Sequence, residues 1–228
     1  LKLAALDALD ETPGAAERGT VIHAALDAYT REVTAEGPPA DPAARILAIG
    51  RAVFAPYWDD PAVRAVWWPR FTRIARWFVA ADAERRLAFP QVLAESRGTM
   101  AWTTPAGRTF TLVTKADRID IAADGRVEII DYKTGRPPTN PQVLTGLSPQ
   151  LPLEAAVLTA GGFDGVAPGA HIDGLLYAQL GGREPAGAFI PVQPKTGTLA
   201  DLTAETLEAL KTLVAAFEDP NQGYVSWA

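Results

Sequence analysis

The chain contains no cysteine. Within its 228 residues that excludes disulfides, thiolate zinc centres and iron–sulfur clusters, and it fits a reducing compartment, so a cytoplasmic location is expected. No apolar run approaches the ~18 residues a membrane-spanning helix needs, so no membrane role is expected. No signal-peptide pattern opens the sequence, and no Gly-x-x-x-x-Gly-Lys-Ser/Thr loop for ATP phosphates occurs. There is no internal repeat. The first residue is Leu1 rather than methionine, and we read the chain as a fragment of a longer or processed protein. Positive charge is also in short supply. A net charge of −6 argues against a general nucleic-acid binder. It leaves room for a protein that meets nucleic acid at one local site, because metal-binding acids add to the negative total and counter-charge can be local.

What is present is an ordinary globular composition, with 48% hydrophobic and 21% charged residues and enough length for a sizeable core. We expect one domain over residues 1–228, helical to about residue 90, a sheet core over about 91–195 and a closing helix over about 198–220. Thr12-Pro13, Asp41-Pro42 and Asp60-Pro61 carry a cap-then-proline signature. They open helices to about Val33, near 42–55 and over 61–88, the last interrupted at Pro69. Strand patterns follow near 91–97, 108–114, 116–122 and 126–133, with Asp124-Gly125 as a hairpin turn. Ser148-Pro149 opens a helix near 149–160. Strands near 171–180 and 187–192 precede a helix over about 201–217, capped by Thr198 or Asp201. The segments 135–149, 161–169 and 181–186 read as loops.

The chemistry concentrates in Asp117-Arg118-Ile119-Asp120 and, about ten residues on, Ile129-Ile130-Asp131-Tyr132-Lys133-Thr134-Gly135. Two carboxylates on adjacent strands can share a hard divalent cation, which takes oxygen ligands. Lys133, two residues after Asp131, shares its face of the strand. An ammonium there suits phosphodiester hydrolysis, orienting the nucleophile and offsetting charge in the transition state. Asp117 and Asp120 compete for the first-acid role. Three apart on a strand, they face opposite ways, and only one can join Asp131; Asp120 then pairs with an arginine such as Arg118.

Other residues have two readings each. Arg70, Arg73 and Arg76 recur at helical spacing among Trp67, Trp68 and Trp77, either as the solvated face of an amphipathic helix or as a phosphate-tracking rim for a single strand. A lone helical histidine such as His23 is more often packed than ligating. Glu95 faces a metal or pairs with Arg97. Gln150 and Glu154 share a face one helical turn apart. His171 is expected to be structural.

Taken in order, Arg18-Gly19-Thr20-Val21-Ile22-His23, Thr114-Lys115-Ala116-Asp117, Asp131-Tyr132-Lys133-Thr134-Gly135 and Ser148-Pro149-Gln150-Leu151-Pro152-Leu153-Glu154 resemble the RecB-like branch of the PD-(D/E)xK nucleases. They most resemble the C-terminal nuclease domain of AddB-type double-strand break repair proteins. The resemblance implies an α/β, restriction-endonuclease-like mixed sheet flanked by helices, with a helical N-terminal portion. It implies that His23, Asp117, Asp131 and the Tyr132 carbonyl ligate Mg²⁺ or Mn²⁺. Lys133 would be the catalytic lysine, Gln150 would orient it or the DNA, and Glu95 and Glu154 would be accessory. The family usually has glycine where this chain has Thr114, and commonly tyrosine where it has Glu154. The expected activity is an exonuclease-type deoxyribonuclease working on DNA, mainly single-stranded ends, beside an AddA-like helicase and nuclease subunit. The alternative is a silent nuclease-fold module that binds DNA or scaffolds a helicase.

Overall fold

The computed structural model describes residues 14–219 and 222–223. The expected Thr12-Pro13 cap lies outside them. The chain forms two compact units. The first gathers residues to Glu84 with Tyr132–Arg136 and Gln179–Ala188, and the second gathers Arg85–Asp131, Pro137–Ala178 and the chain from Phe189 onward.

The first unit is built on helices. Helix α1 (Ala15–Glu36) buries Val21, Ile22, Ala25, Leu26, Tyr29 and Val33, a stripe at the three-and-four spacing of one helical face. Helix α2 (Pro42–Phe54) begins at Asp41, whose carboxylate accepts the Ala44 amide at 2.9 Å, and proline occupies its first position, where no donor is needed. Gly50 on α2 lies flat against the Phe71 ring, where a β-carbon would sit 2.1 Å from a ring atom. Helix α3 (Trp68–Ala88) is preceded by a wider π turn, Val63–Trp67. Pro69 explains it: proline offers no N–H to Ala65 and its ring crowds that carbonyl, so the chain opens one turn to pass. The interruption expected at Pro69 therefore falls just before it.

The second unit holds most of a five-stranded sheet in the order β1-β2-β3-β4-β5. The strands are β1 (Gln91–Thr103), β2 (Thr109–Ile121), β3 (Val127–Lys133), β4 (Ile172–Gln179) and β5 (Ala188–Pro191). The pairs β1–β2 and β2–β3 are antiparallel. Bonds from Val127 N to His171 O and from Leu180 N to Lys133 O tie β3 and β4 start to start and end to end, as in a parallel pair, so the sheet is mixed. The turn Asp124-Gly125 joins β2 to β3 as expected, with Gly125 at φ 86, a left-handed conformation that favours glycine. The His171 carbonyl accepts the Val127 amide at 2.9 Å.

Two sequence expectations are corrected. The strands drawn near 108–114 and 116–122 are one strand, β2, and β1 runs on to Thr103 to match it. The stretch 135–149 is not all loop, because Asn140–Leu144 forms a short helix, α4, closed by a reciprocal Thr139–Gln142 capping box. Helix α5 (Gln150–Thr159) follows, then α6 (Leu199–Glu218), capped by Thr198, which accepts the Asp201 amide. The core of this unit joins Ile119, Ile121, Val127 and Ile129 of the sheet to Leu151, Ala155 and Leu158 of α5, with Leu175 and Leu202. A mixed five-stranded sheet flanked by helices, with a helical N-terminal portion, is the restriction-endonuclease-like architecture that the resemblance implies.

Candidate functional site

The site begins with an irregularity in the long β1–β2 hairpin. Its register pairs Ala94 with Arg118 and Ser96 with Ala116, and the ladder skips the rung between them, Glu95 against Asp117. Glu95 adopts φ 50, a left-handed conformation costly for a residue with a β-carbon and concentrated at functional sites. The inside–outside alternation also shifts by one residue here. Leu112 and Ala116 pack on the core on one side of the break, and Ile119 and Ile121 on the other. The result sets two acids face to face: Glu95 and Asp117 can each present a carboxylate oxygen within 4.8 Å of the other's. Lys115 pairs with Glu95.

The next acid follows from the second register. β2 and β3 pair Ile119 with Ile129 and Arg118 with Ile130, and Asp117 and Asp131 are the next residues of the two strands past that pairing. Asp131 is buried at 2% exposure. Its Oδ1 accepts the Gln150 side-chain amide at 2.7 Å, and the same nitrogen reaches Glu154 Oε1 at 3.2 Å. Gln150 opens α5 and Glu154 stands one turn later on the same face. One carboxamide thus spans two carboxyl groups.

Glu154 is the most perturbed acid. It is 1% exposed, and burial, reinforced by Asp131 and Asp117, lifts its pKa to about 8 against the pull of Gln150 and Thr114. Its Oε2 has no hydrogen-bond partner among the described residues. Thr114 Oγ1 reaches its other oxygen at 3.3 Å. The two positions at which this chain departs from the family pattern, Thr114 and Glu154, are therefore in contact. Sequence reasoning treated them separately, and only the fold, across 40 residues, joins them. It also missed Tyr177 on β4, a buried phenol whose pKa is raised by burial and by Asp131 and Glu154.

Asp120, the competitor for the first-acid role, has another task. It is fully buried and accepts from Arg118 Nε at 2.5 Å and from Arg85 Nε at 2.7 Å. Arg85 also pairs with Glu128. The expected arginine pairing holds.

In the first unit, β3 ends at Tyr132 and Lys133. The Tyr132 ring packs edge-on against His23 at 5.7 Å and Phe78 at 5.8 Å, so His23 on α1 lies beside the residue that follows Asp131. Lys133 is half-buried, and its carbonyl accepts the Leu180 amide at 2.8 Å. Arg70 donates to the carbonyls of Thr134 at 2.5 Å and Leu180 at 3.3 Å, and Arg73 to that of Gly182 at 2.5 Å. Arg76 is exposed. The tryptophans among them pack within the fold: Trp67 is buried, Trp68 stacks among Phe54, Trp58 and Phe71, and Trp77 covers Gly187.

The donor chemistry of the acids fits a hard divalent cation. Glu95, Asp117 and Asp131 offer oxygens, the ligands Mg²⁺ and Mn²⁺ take. Crowded carboxylates of one sign, one already driven toward its protonated form, are the arrangement that a cation relieves.

The chain is 29% identical over 164 residues to an uncharacterized protein of Rickettsia bellii, covering 72% of this chain and 20% of that protein. An uncharacterized protein of Rickettsia typhi is 28% identical over 161 residues, 69% of this chain and 18% of the relative. The chain thus spans about one fifth of the length of these relatives. Among solved structures, that of SSO0001 aligns with 83% of this chain and 74% of its own at 14% identity and a TM-score of 0.33. The PD-(D/E)XK nuclease superfamily model matches residues 1–224. The chain belongs to the PD-(D/E)XK nuclease superfamily.

Proposed function

We propose that the chain is a Mg²⁺- or Mn²⁺-dependent deoxyribonuclease of exonuclease type. The observation that carries the reading is the gathering of acids on neighbouring strands, Glu95 within reach of Asp117 and Asp131 just past the Arg118–Ile130 pair, with Lys133 two residues further along. A bound cation would polarise the scissile phosphate and lower the pKa of a water. Asp117 and Asp131 would hold it, with His23 and the Tyr132 carbonyl as the further ligands that the family pattern implies and Glu95 as an accessory carboxylate. Gln150 fixes one oxygen of Asp131 through its 2.7 Å hydrogen bond and leaves the rest of the carboxylate's orientation defined. Lys133 orients the attacking water and offsets negative charge as the phosphorus becomes five-coordinate.

The biological setting of this reading is end processing of double-strand breaks in recombinational repair, beside an AddA-like helicase subunit. It rests on the sequence resemblance to AddB-type nuclease domains. The substrate is DNA with single-stranded ends, and Arg70, Arg73 and Arg76 lie on the helix that would follow the strand.

The test is cleavage of labelled single- and double-stranded DNA with Mg²⁺ or Mn²⁺, comparing the chain with Lys133→Ala. The variant should fold and bind metal but cleave at least about a hundredfold more slowly, since a charge aimed at the transition state is worth roughly 3–4 kcal/mol. Equal turnover in both proteins would remove Lys133 from the chemistry. Binding without cleavage under every divalent metal would favour the module that only binds DNA.

A further inference from the structure

The first unit gathers positive charge at the point where the motif strand ends. Arg70 spans the carbonyls of Thr134 and Leu180, and Arg73 holds that of Gly182. Arg183 is the next residue in that loop. Gly19 brings the start of α1 against Thr134, where a β-carbon would stand 3.2 Å from the threonine hydroxyl, and Arg18 precedes it. Gly182, at φ +63, lies so close to Arg70 that a β-carbon would be 2.4 Å from the arginine Cγ. The loop is thereby draped on the Arg70 stem.

These contacts use few of the available donors. A guanidinium carries five N–H groups in a fixed fork matched to phosphate oxygens. Arg70 spends one nitrogen and Arg73 one on the loop carbonyls. The buried Nε atoms of Arg18 and Arg70 have no partner among the described residues, and no acid among those residues bonds to any of the four arginines. Like charges brought together without an acid raise one another's energy, and burial followed by the charges of Arg18, Arg183 and Arg73 pulls the Arg70 pKa down. In a chain of net charge −6, a concentrated cationic site of this kind needs an anion.

We propose that Arg18, Arg70, Arg73 and Arg183 form a binding site for a phosphate group of the nucleic-acid strand, one step along the chain from Lys133. Arg70 and Arg73 position the two loops, and Arg18 and Arg183 present the donors. The site deepens the nuclease reading and rests on it for the identity of the strand. It holds the substrate beside the lysine, at the Arg70–Arg73 part of α3. The phosphate is an internal phosphodiester or a terminal phosphomonoester, both of which present anionic oxygens to a guanidinium fork.

The test is the salt dependence of binding of a fluorescent single-stranded oligonucleotide to the 228-residue chain in EDTA, which silences cleavage. Arg18→Ala/Arg183→Ala should reduce the log–log salt slope by roughly 0.7 for each phosphate it no longer neutralises. It should weaken binding tenfold or more at low salt and leave Mn²⁺ affinity unchanged. Arg18→Lys/Arg183→Lys should recover most of the slope, which a merely structural role would not predict. A loss confined to 5′-phosphorylated strands assigns the site to a terminal phosphate, and an equal loss for both strands assigns it to an internal one. An unchanged slope in the alanine variant, with normal cleavage by the parent chain, overturns the site and spares the nuclease reading. A reduced slope in a chain that never cleaves DNA keeps the site and removes the nuclease reading.

Discussion

Asp117 and Asp120 stand three residues apart on β2, yet they live in opposite electrostatic worlds. Asp120 is fully buried between Arg118 and Arg85, each within 2.7 Å, and Glu128 completes the network through Arg85. Asp117 is half-buried among other acids, with Glu95 opposite and Asp131 on the next strand. One region spends its charges on holding the fold. The other brings several acids together, with Lys115 as the cation beside Glu95. That difference separates a structural acid from the proposed metal ligand where residue type and strand are the same.

The largest effect that would sharpen this contrast is on activity. Asp117→Asn should lose at least about a hundredfold in cleavage rate, because it removes an oxygen donor where charge develops. Its stability in metal-free buffer should change far less than its activity, since the substitution keeps the shape of a half-buried side chain. A variant that cleaves normally would show that Asp117 is not a ligand.

Asp120→Ala should do the reverse. It leaves the buried Arg118, 2% exposed, facing a missing partner, a loss of roughly 3–5 kcal/mol. Urea denaturation measures it, and cleavage per folded molecule should survive. A loss below about 1 kcal/mol would show the network to be dispensable.

A pH-dependent effect of intermediate size belongs to Glu154. Its folded pKa of about 8 lies above the ordinary 4.5. Between those values the folded chain keeps a proton that the unfolded chain has released, so stability falls as pH rises through this window and levels off above about 8. Glu154→Gln should abolish that fall in metal-free buffer. It should match the parent near pH 4.5 and exceed it by a few kcal/mol at pH 9, with a ceiling of about 5 kcal/mol at 1.36 per pKa unit. Parallel stability curves for the two proteins across pH 5–9 would refute the buried, proton-holding state.

The smallest effect concerns Lys115, the cation beside Glu95. Its side chain is 51% exposed, so solvent screens the pair, and Lys115→Ala should change stability by less than about 1 kcal/mol. A larger loss in thermal melting would mean that the acidic side, too, depends on a fixed counter-charge.

The sequence exposed those features whose causes are local. Asp41-Pro42, Asp124-Gly125 and Thr198 carry their own chemistry within four residues, and each does what its pattern says. Asp131, Lys133 and Gln150 were legible as a pattern, whereas the Gln150–Asp131 bond differs from the part expected of Gln150 beside the lysine or the DNA. The single length of β2 was hidden because the alternation slips at Ala116–Asp117 and mimics a break between two strands. Helix α4 was hidden by its brevity, since five residues are too few for a periodicity among prolines. The arginines of α3 were visible as a spacing, but their bonds to Thr134 and Gly182 join residues 64 and 109 apart. No local pattern encodes that. The same holds for Thr114 and Glu154.

The skipped rung at Glu95 and Asp117 has a mechanical consequence. It divides the hairpin into a root, Gln91–Ala94 with Arg118–Ile121, and an outer arm, Ser96–Thr103 with Thr109–Ala116. A sheet transmits rigidity through unbroken ladders, and local opening follows the places where they stop. Deuterium labelling should therefore resolve the arm and the root as two separately opening segments. The acids would then sit at the joint of a lever, where a small rotation of the arm alters the spacing between Glu95 and Asp117 without disturbing the core beneath.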